Sequence, residues 1–102
     1  MEPARLDVEW DEAKRLVNLA KHGIDFVDAS ALWLSQVWTR PSRHAGEERY
    51  VSTGLLVGRV AVVIWTVRER RRRLISARIA RRDEREDYAG FLERHRRAQG
   101  SH

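Results

Sequence analysis

The sequence predicts an α+β fold, on two observations. Apolar residues recur every three or four positions through the first 34 residues, every second position from Val37 to about Ile79, and every three or four positions again after that. The alternating segments follow one another through turn-length connections, with no helix between them to carry a parallel crossover. The expected architecture is a short first strand and two N-terminal helices packed on an antiparallel sheet, closed by a C-terminal helix. At 102 residues the chain fits a single domain, 1–102 with an ordered core of about 7–95, because two halves would each be too short to bury a core without disulfides or metal.

Asp7 to Trp10 alternates polar and apolar and reads as the first strand, with Asp11 placed to cap the helix that follows. In that helix, running to about His22, Ala13, Leu16, Val17 and Ala20 fall on one stripe, and Gly23 stands where a left-handed C-terminal residue is wanted. Asp25 caps a second, shorter helix whose Phe26, Ala29, Leu32 and Trp33 share a face. "VWTRP" reads as an edge strand ended by Pro41, and "SRHAGEE" as a polar loop. "RYVSTGLLV" and "RVAVVIWTV" flank a turn around Gly58, the second apolar on both faces and so central in the sheet. A charged turn, "RERRR", leads to "RLISARIA", with Ile75, Ala77 and Ile79 on one face and Ser76 and Arg78 on the other. The final helix, Arg81 to about Arg97, carries Tyr88, Phe91, Leu92 and His95 as a stripe despite Gly90, and the terminal "QGSH" has no periodicity.

Composition narrows the chemistry. There are no cysteines, which excludes disulfide frameworks, zinc ribbons and thiolate nucleophiles. The longest apolar run, "VAVVIWTV", is too short to span a bilayer, and "MEPARLDVEW" lacks a signal-like apolar stretch, so no membrane partner and a cytoplasmic location are expected. HExxH, Gly-rich phosphate loops and GxSxG are missing, and the four His, at 22, 44, 95 and 102, suggest no metal cluster. Neither a metal nor another cofactor is expected.

The net charge of +5 is concentrated: residues 68–85 carry nine basic and three acidic side chains, a local +6. Arg70, Arg71, Arg72 and Arg73 read with Arg68 as a turn, Arg78 lies on a strand face, and Arg81 and Arg85 stand at the start of the last helix. Such a cluster suits phosphate binding, with Trp33, Trp38, Trp65 and Tyr50 as stacking partners for bases wherever they are exposed. A carboxylate of "GEERY" beside strand arginines has the parts for metal-free RNA cleavage: the carboxylate takes the 2′-hydroxyl proton and the guanidinium groups stabilise the phosphorane oxygens. On spacing alone a solvated turn, with Glu47 and Glu48 pairing locally with Arg49, stays open.

In order, "EWDEAKRLVNLAKHGIDF", "GEERY" and "RLISARIARRDEREDY" resemble the BrnT family of bacterial toxins, over about residues 7–88. The resemblance implies a RelE-like fold and the toxin of a type II toxin-antitoxin pair: a metal-independent endoribonuclease that inhibits translation. It also implies a cognate antitoxin with a DNA-binding domain, through which alone operator DNA is met. Carried over by position, the matching residues are Lys21, His22, Glu47, Arg49, Arg68, Arg78, Glu84, Arg85 and Tyr88. The roles expected from it are Glu47 as base, Arg78 and Arg68 as transition-state clamps, Arg49 as orienter and His22 as a secondary candidate for the general acid. Lys21, Arg70 to Arg73, Arg81, Arg85 and Tyr88 then hold RNA. "LWLSQVW" departs from the acidic residue and proline with which the family often closes the second helix, which bears on loop geometry. The alternative is a non-catalytic basic interaction protein that binds an antitoxin or nucleic acid through its Arg-rich surface.

Overall fold

The computed structural model describes residues 7–100. Its elements are β1 (Asp7–Glu9), α1 (Glu12–His22), α2 (Phe26–Ala29) continued by a 3-10 turn (Ser30–Leu34), β2 (Trp38–His44), β3 (Glu47–Leu56), β4 (Arg59–Arg68), β5 (Arg71–Ile79) and α3 (Arg82–Gly100). The five strands form one sheet in the order β1-β5-β4-β3-β2. β2 to β5 are antiparallel as expected, but β1 pairs in parallel with β5, Asp7 opposite Arg71 and Glu9 opposite Arg73. The sheet is therefore mixed, because α1 and α2 intervene before the chain returns to it.

Local signals set the helix ends. Asp11 Oδ1 accepts from the backbone N–H of Ala13 at 2.8 Å and Lys14 at 3.3 Å, and Gly23, at φ +74°, donates its N–H to Leu19 O at 2.9 Å. Asp25 caps α2 in the same way, through Val27 N at 2.9 Å. Phe26, Ala29 and Leu32 recur every third residue, which suits the three-residue period of the 3-10 turn, and all three are fully buried. They meet Ala61, Val63 and Trp65 of β4 and Leu74 and Ala77 of β5 in the main core. Gly54 lets this turn approach β3: a Cβ there would lie 2.8 Å from Ser35 Oγ and 3.0 Å from Leu32 Cγ.

The stripe expected to dock α1 does not. Leu16 and Val17 are 52% and 65% exposed, Ala13 and Ala20 are exposed too, and the buried residue of this helix is Asn18. Its amide donates to Ala77 O at 2.9 Å and to Ile24 O at 3.0 Å, and its Oδ1 accepts Ala77 N–H at 3.1 Å. α1 thus lies along the outer edge of β5 and satisfies the backbone groups of that edge where β1 has ended. A polar anchor has replaced the apolar one.

Two connections also differ from expectation. β2 continues through Pro41 to His44, since a proline is tolerated on an edge strand whose outer backbone groups face no partner. The segment read as a loop is a hairpin turned by Ala45 and Gly46 alone, at φ +51° and +81°. The charged turn is likewise only Glu69 and Arg70, at φ +51° and +66°, so Arg71, Arg72 and Arg73 belong to β5 and not to a tip. Along β5, a register shift between Ile64 and Trp65 of β4 lets Leu74 as well as Ala77 enter the core, in place of a regular Ile75, Ala77, Ile79 face. α3 extends past Arg97 to Gly100, taking in the first half of the "QGSH" end; Ser101 and His102 lie outside the described residues.

Candidate active site

Strand pairing sorts the polar residues by face, since directly opposed residues point the same way and neighbours along a strand point oppositely. One face carries Tyr50, Ser52, Val63, Trp65 and Arg72 and is covered by α2 and the 3-10 turn. The other carries Trp38, Arg40, Ser42 and His44 of β2, Glu47 and Arg49 of β3, Thr66 and Arg68 of β4, and Arg71, Arg73, Ser76 and Arg78 of β5. Glu47, Arg49, Arg68 and Arg78 therefore share a face, but not one place on it. Arg78 lies opposite Val62, whereas Glu47 falls level with Arg68 when the register from Tyr50 and Trp65 is continued. Six residues of β4 separate the two levels, roughly 20 Å of strand. No single phosphate spans them.

At the first level Arg49 Nε donates to Glu47 Oε1 at 2.8 Å. That bond, helped by the fields of Arg68 and Lys14, holds the Glu47 carboxyl below its usual range. His44 lies directly opposite Glu47 in the β2–β3 pairing and is exposed. Spacing along the chain sets this imidazole among four scattered His, and as part of a polar loop it has no strand neighbour. The signal lay in "HAGE", where a two-residue turn ending in Gly makes its flanking residues cross-strand neighbours. A carboxylate, an imidazole and two guanidinium groups thus surround one exposed patch, enough for acid-base chemistry on a phosphodiester.

At the second level Arg78 is held by both oxygens of Glu84, at 2.7 Å each. Glu84 Oε1 also accepts the N–H of Arg81 at 2.8 Å, capping α3, and these bonds pull its carboxyl down to about 2. Arg40 lies over the Trp38 ring, 3.9 Å from its centroid, and reaches Thr53 Oγ1 at 3.3 Å. Trp38 stacks on Phe91 of α3, which stacks on Tyr88. Here side chains seat a helix on the sheet.

The remaining candidates divide in the same way. Arg81 and Arg85 are exposed, although Arg85 also donates to Ala80 O at 3.2 Å. Arg70 is exposed at its turn and Lys21 on α1. Arg71 and Arg73 share Glu9, at 3.7 and 3.0 Å. Arg72 lies over Trp33 and Trp65, 4.0 and 4.7 Å from their centroids, on the face away from the candidate site, and burial lowers its pKa. Tyr88 is 2% exposed and donates its hydroxyl to Gln36 O, so it offers RNA no surface. The expected stacking partners are largely engaged within the fold: Trp65 is buried and donates to Ser52 Oγ at 2.8 Å, while the half-buried Tyr50 stacks on it and the half-buried Trp33 packs edge-on against it. The four aromatics hold the sheet to its helices.

Two further observations bear on class. Among the described residues no helix is long and apolar enough to cross a membrane. A family model described as the ribonuclease toxin BrnT of type II toxin-antitoxin systems matches residues 10–84, a stretch that includes Glu47, Arg49, Arg68, Arg78 and Glu84. No curated protein matches the chain.

Proposed function

Because the chain belongs to the BrnT family of ribonuclease toxins of type II toxin-antitoxin systems, we propose that it is a metal-independent endoribonuclease of RelE-like architecture. It cuts RNA in the cytoplasm and so inhibits translation, until a cognate antitoxin with a DNA-binding domain neutralises it; operator DNA is met only through that complex. The reaction centre is the hairpin end of the open sheet face. The Glu47 carboxylate takes the 2′-hydroxyl proton, the 2′-oxygen attacks the adjacent phosphorus, and the P–O5′ bond breaks to leave a 2′,3′-cyclic phosphate. His44, opposite Glu47, protonates the departing 5′-oxygen in place of His22. Arg49 and Arg68 stabilise the charge on the non-bridging oxygens. Arg78, with Arg81, acts farther along the strand as a phosphate contact and not as a clamp on the scissile group.

The single observation that carries this reading is the cross-strand pairing of His44 with Glu47 beside the Arg49 guanidinium. A carboxylate held below its usual range is a weak base at rest; substrate phosphate competing for Arg49 restores basicity as the complex forms. The test is incubation of the purified protein with a structureless RNA in EDTA, reading product ends. Cleavage to a 2′,3′-cyclic phosphate that is lost in Glu47→Ala and His44→Ala supports the assignment. Equal cleavage by all three proteins marks a contaminant, and binding without cleavage supports the non-catalytic alternative.

A further inference from the structure

Eighteen of the twenty basic residues are Arg, and the two lysines, Lys14 and Lys21, line the same cavity. The cavity, of about 350 Å³, lies between α1 and the outer edge of β5; Val17 and Ile75 supply apolar wall, and His22 and Ser76 stand beside the lysines. Ser76 is opposite Ile64, on the same sheet face as Arg68 and Arg78 and between their two levels. Lys14 also acts on Glu47 through its field, which sets it on the reaction-centre side. Seven residues of helix separate the lysines, roughly 10 Å along the axis.

Cation supply sets this cavity apart from most of the face, where among the described arginines Arg40 and Arg68 alone also lack a carboxylate within 4.0 Å. Arg49, Arg71, Arg73 and Arg78 each have a carboxylate within 4.0 Å, whereas among the described residues neither lysine has one. Both are exposed, and a Lys head is a mobile point charge that follows a phosphate without needing a fixed fork. We propose that this cavity is a subsite for an RNA nucleotide flanking the scissile bond, with Lys14 and Lys21 on the phosphates either side of it. Val17 and Ile75 receive the base or sugar, and the Ser76 hydroxyl offers a polar contact. The strand then runs from the Glu47 centre past α1 towards Arg78. This rests on the ribonuclease reading above.

The test separates binding from cleavage. Fluorescence anisotropy with a 2′-O-methyl oligouridine, which cannot be cut, is recorded over a range of salt for wild type, Lys14→Ala, Lys21→Ala and the double variant. Arg59→Ala, which removes one charge from the far end of β4, is the control. Each lysine in contact with a phosphate lowers the slope of log K against log salt by about 0.7 when removed, so the double variant loses about 1.4 and Arg59→Ala nothing. Lys14→Arg restores the slope. In the cleavage arm, wild type gains kcat/KM from a uridine dinucleotide to a hexanucleotide, and the double variant loses most of that gain. Slopes unchanged by both lysine variants, or lowered as much by Arg59→Ala, overturn the subsite even where wild type cleaves. Lysine-dependent binding with no cleavage of ordinary RNA leaves the subsite standing and sinks the ribonuclease reading.

Discussion

The two ends of one sheet face use the same residue types for opposite purposes. At the α3 end Glu84 spends three acceptor positions on Arg78 and Arg81 N–H, with both side chains of the pair about one-fifth to one-quarter exposed. At the hairpin end Glu47 makes one bond to Arg49, and its side chain is 49% exposed. A carboxylate with three acceptor positions taken by fixed donors is a clasp; one that makes a single bond and keeps its other lone pairs in solvent reach is available to substrate. The contrast teaches that an arginine beside a glutamate says little about catalysis until the bonds of the glutamate are counted.

The comparison breaks first if the hairpin end is not catalytic. Glu47→Gln is expected to lower kcat/KM by about 10²- to 10⁴-fold, and His44→Ala by a similar factor, with His22→Ala well below both. Stability should move by no more than about 0.5 kcal/mol in either hairpin variant, since both side chains are exposed. Single-turnover cleavage beside urea unfolding separates the two effects. The lowered Glu47 pKa belongs to the free protein, so the acid limb of kcat/KM, which reports the free enzyme, should lie below the ordinary glutamate range, and that of kcat above the kcat/KM limb. A kcat/KM limb above the ordinary glutamate range removes Glu47 as the base.

At the other end the effect should appear in stability. Glu84→Ala leaves Arg78 unpaired and α3 uncapped, and is expected to cost about 2–3 kcal/mol in urea unfolding. Glu84→Gln keeps part of the cap and loses less. The folded pKa of Glu84, about 2, is below its unfolded value, so its contribution is present above that unfolded value and fades as pH drops from about 5 towards 2. Wild type should therefore lose on the order of 1–2 kcal/mol across that window beyond what Glu84→Gln loses, after allowing for solvent screening of the pair. Parallel acid curves would show that Glu84 is no clasp.

How much of this was legible in the sequence depends on the range of the interaction. Asp11, Gly23 and Asp25 act within their own turn, so the helix ends follow from local chemistry. The core of Phe26, Ala29 and Leu32 follows from spacing. What spacing could not show is that Asn18 would anchor α1 by its amide and leave Leu16 and Val17 exposed, since the partner is a backbone group 59 residues away. The same holds at the site. Glu47 and Arg49 are two residues apart and could be read as a pair, but the separation of Arg78 from them is a matter of sheet register, and His44 was hidden by reading Ala45-Gly46 as part of a loop.

Smaller effects sharpen the division among the arginines. Glu69 and Arg70 hold positive φ without a glycine, at a cost of roughly 1–2 kcal/mol per residue for an ordinary side chain. Arg70→Gly should raise stability by about 1 kcal/mol while lowering the salt slope of RNA binding by about 0.7, if the exposed guanidinium meets a phosphate. Stabilisation with an unchanged slope would leave Arg70 a turn residue only.

The smallest change on activity is expected at Arg72, although it sits in the run that makes the chain basic. Its guanidinium lies over Trp33 and Trp65, on the face occupied by the 3-10 turn, and its Nε is buried without a hydrogen-bond partner among the described residues. Burial works against its charge, while the indole faces favour it. Arg72→Met keeps most of the volume and removes the unsatisfied donor, so the lost cation–π contact, about 0.5–1 kcal/mol, is partly offset and net stability should shift by less than about 1 kcal/mol. RNA cleavage and the salt slope should stay within twofold and within error of wild type, respectively. A fall in both, with the fold intact by near-ultraviolet circular dichroism of the tryptophans, would mean that RNA reaches the other side of the sheet and that the division between the two faces is wrong.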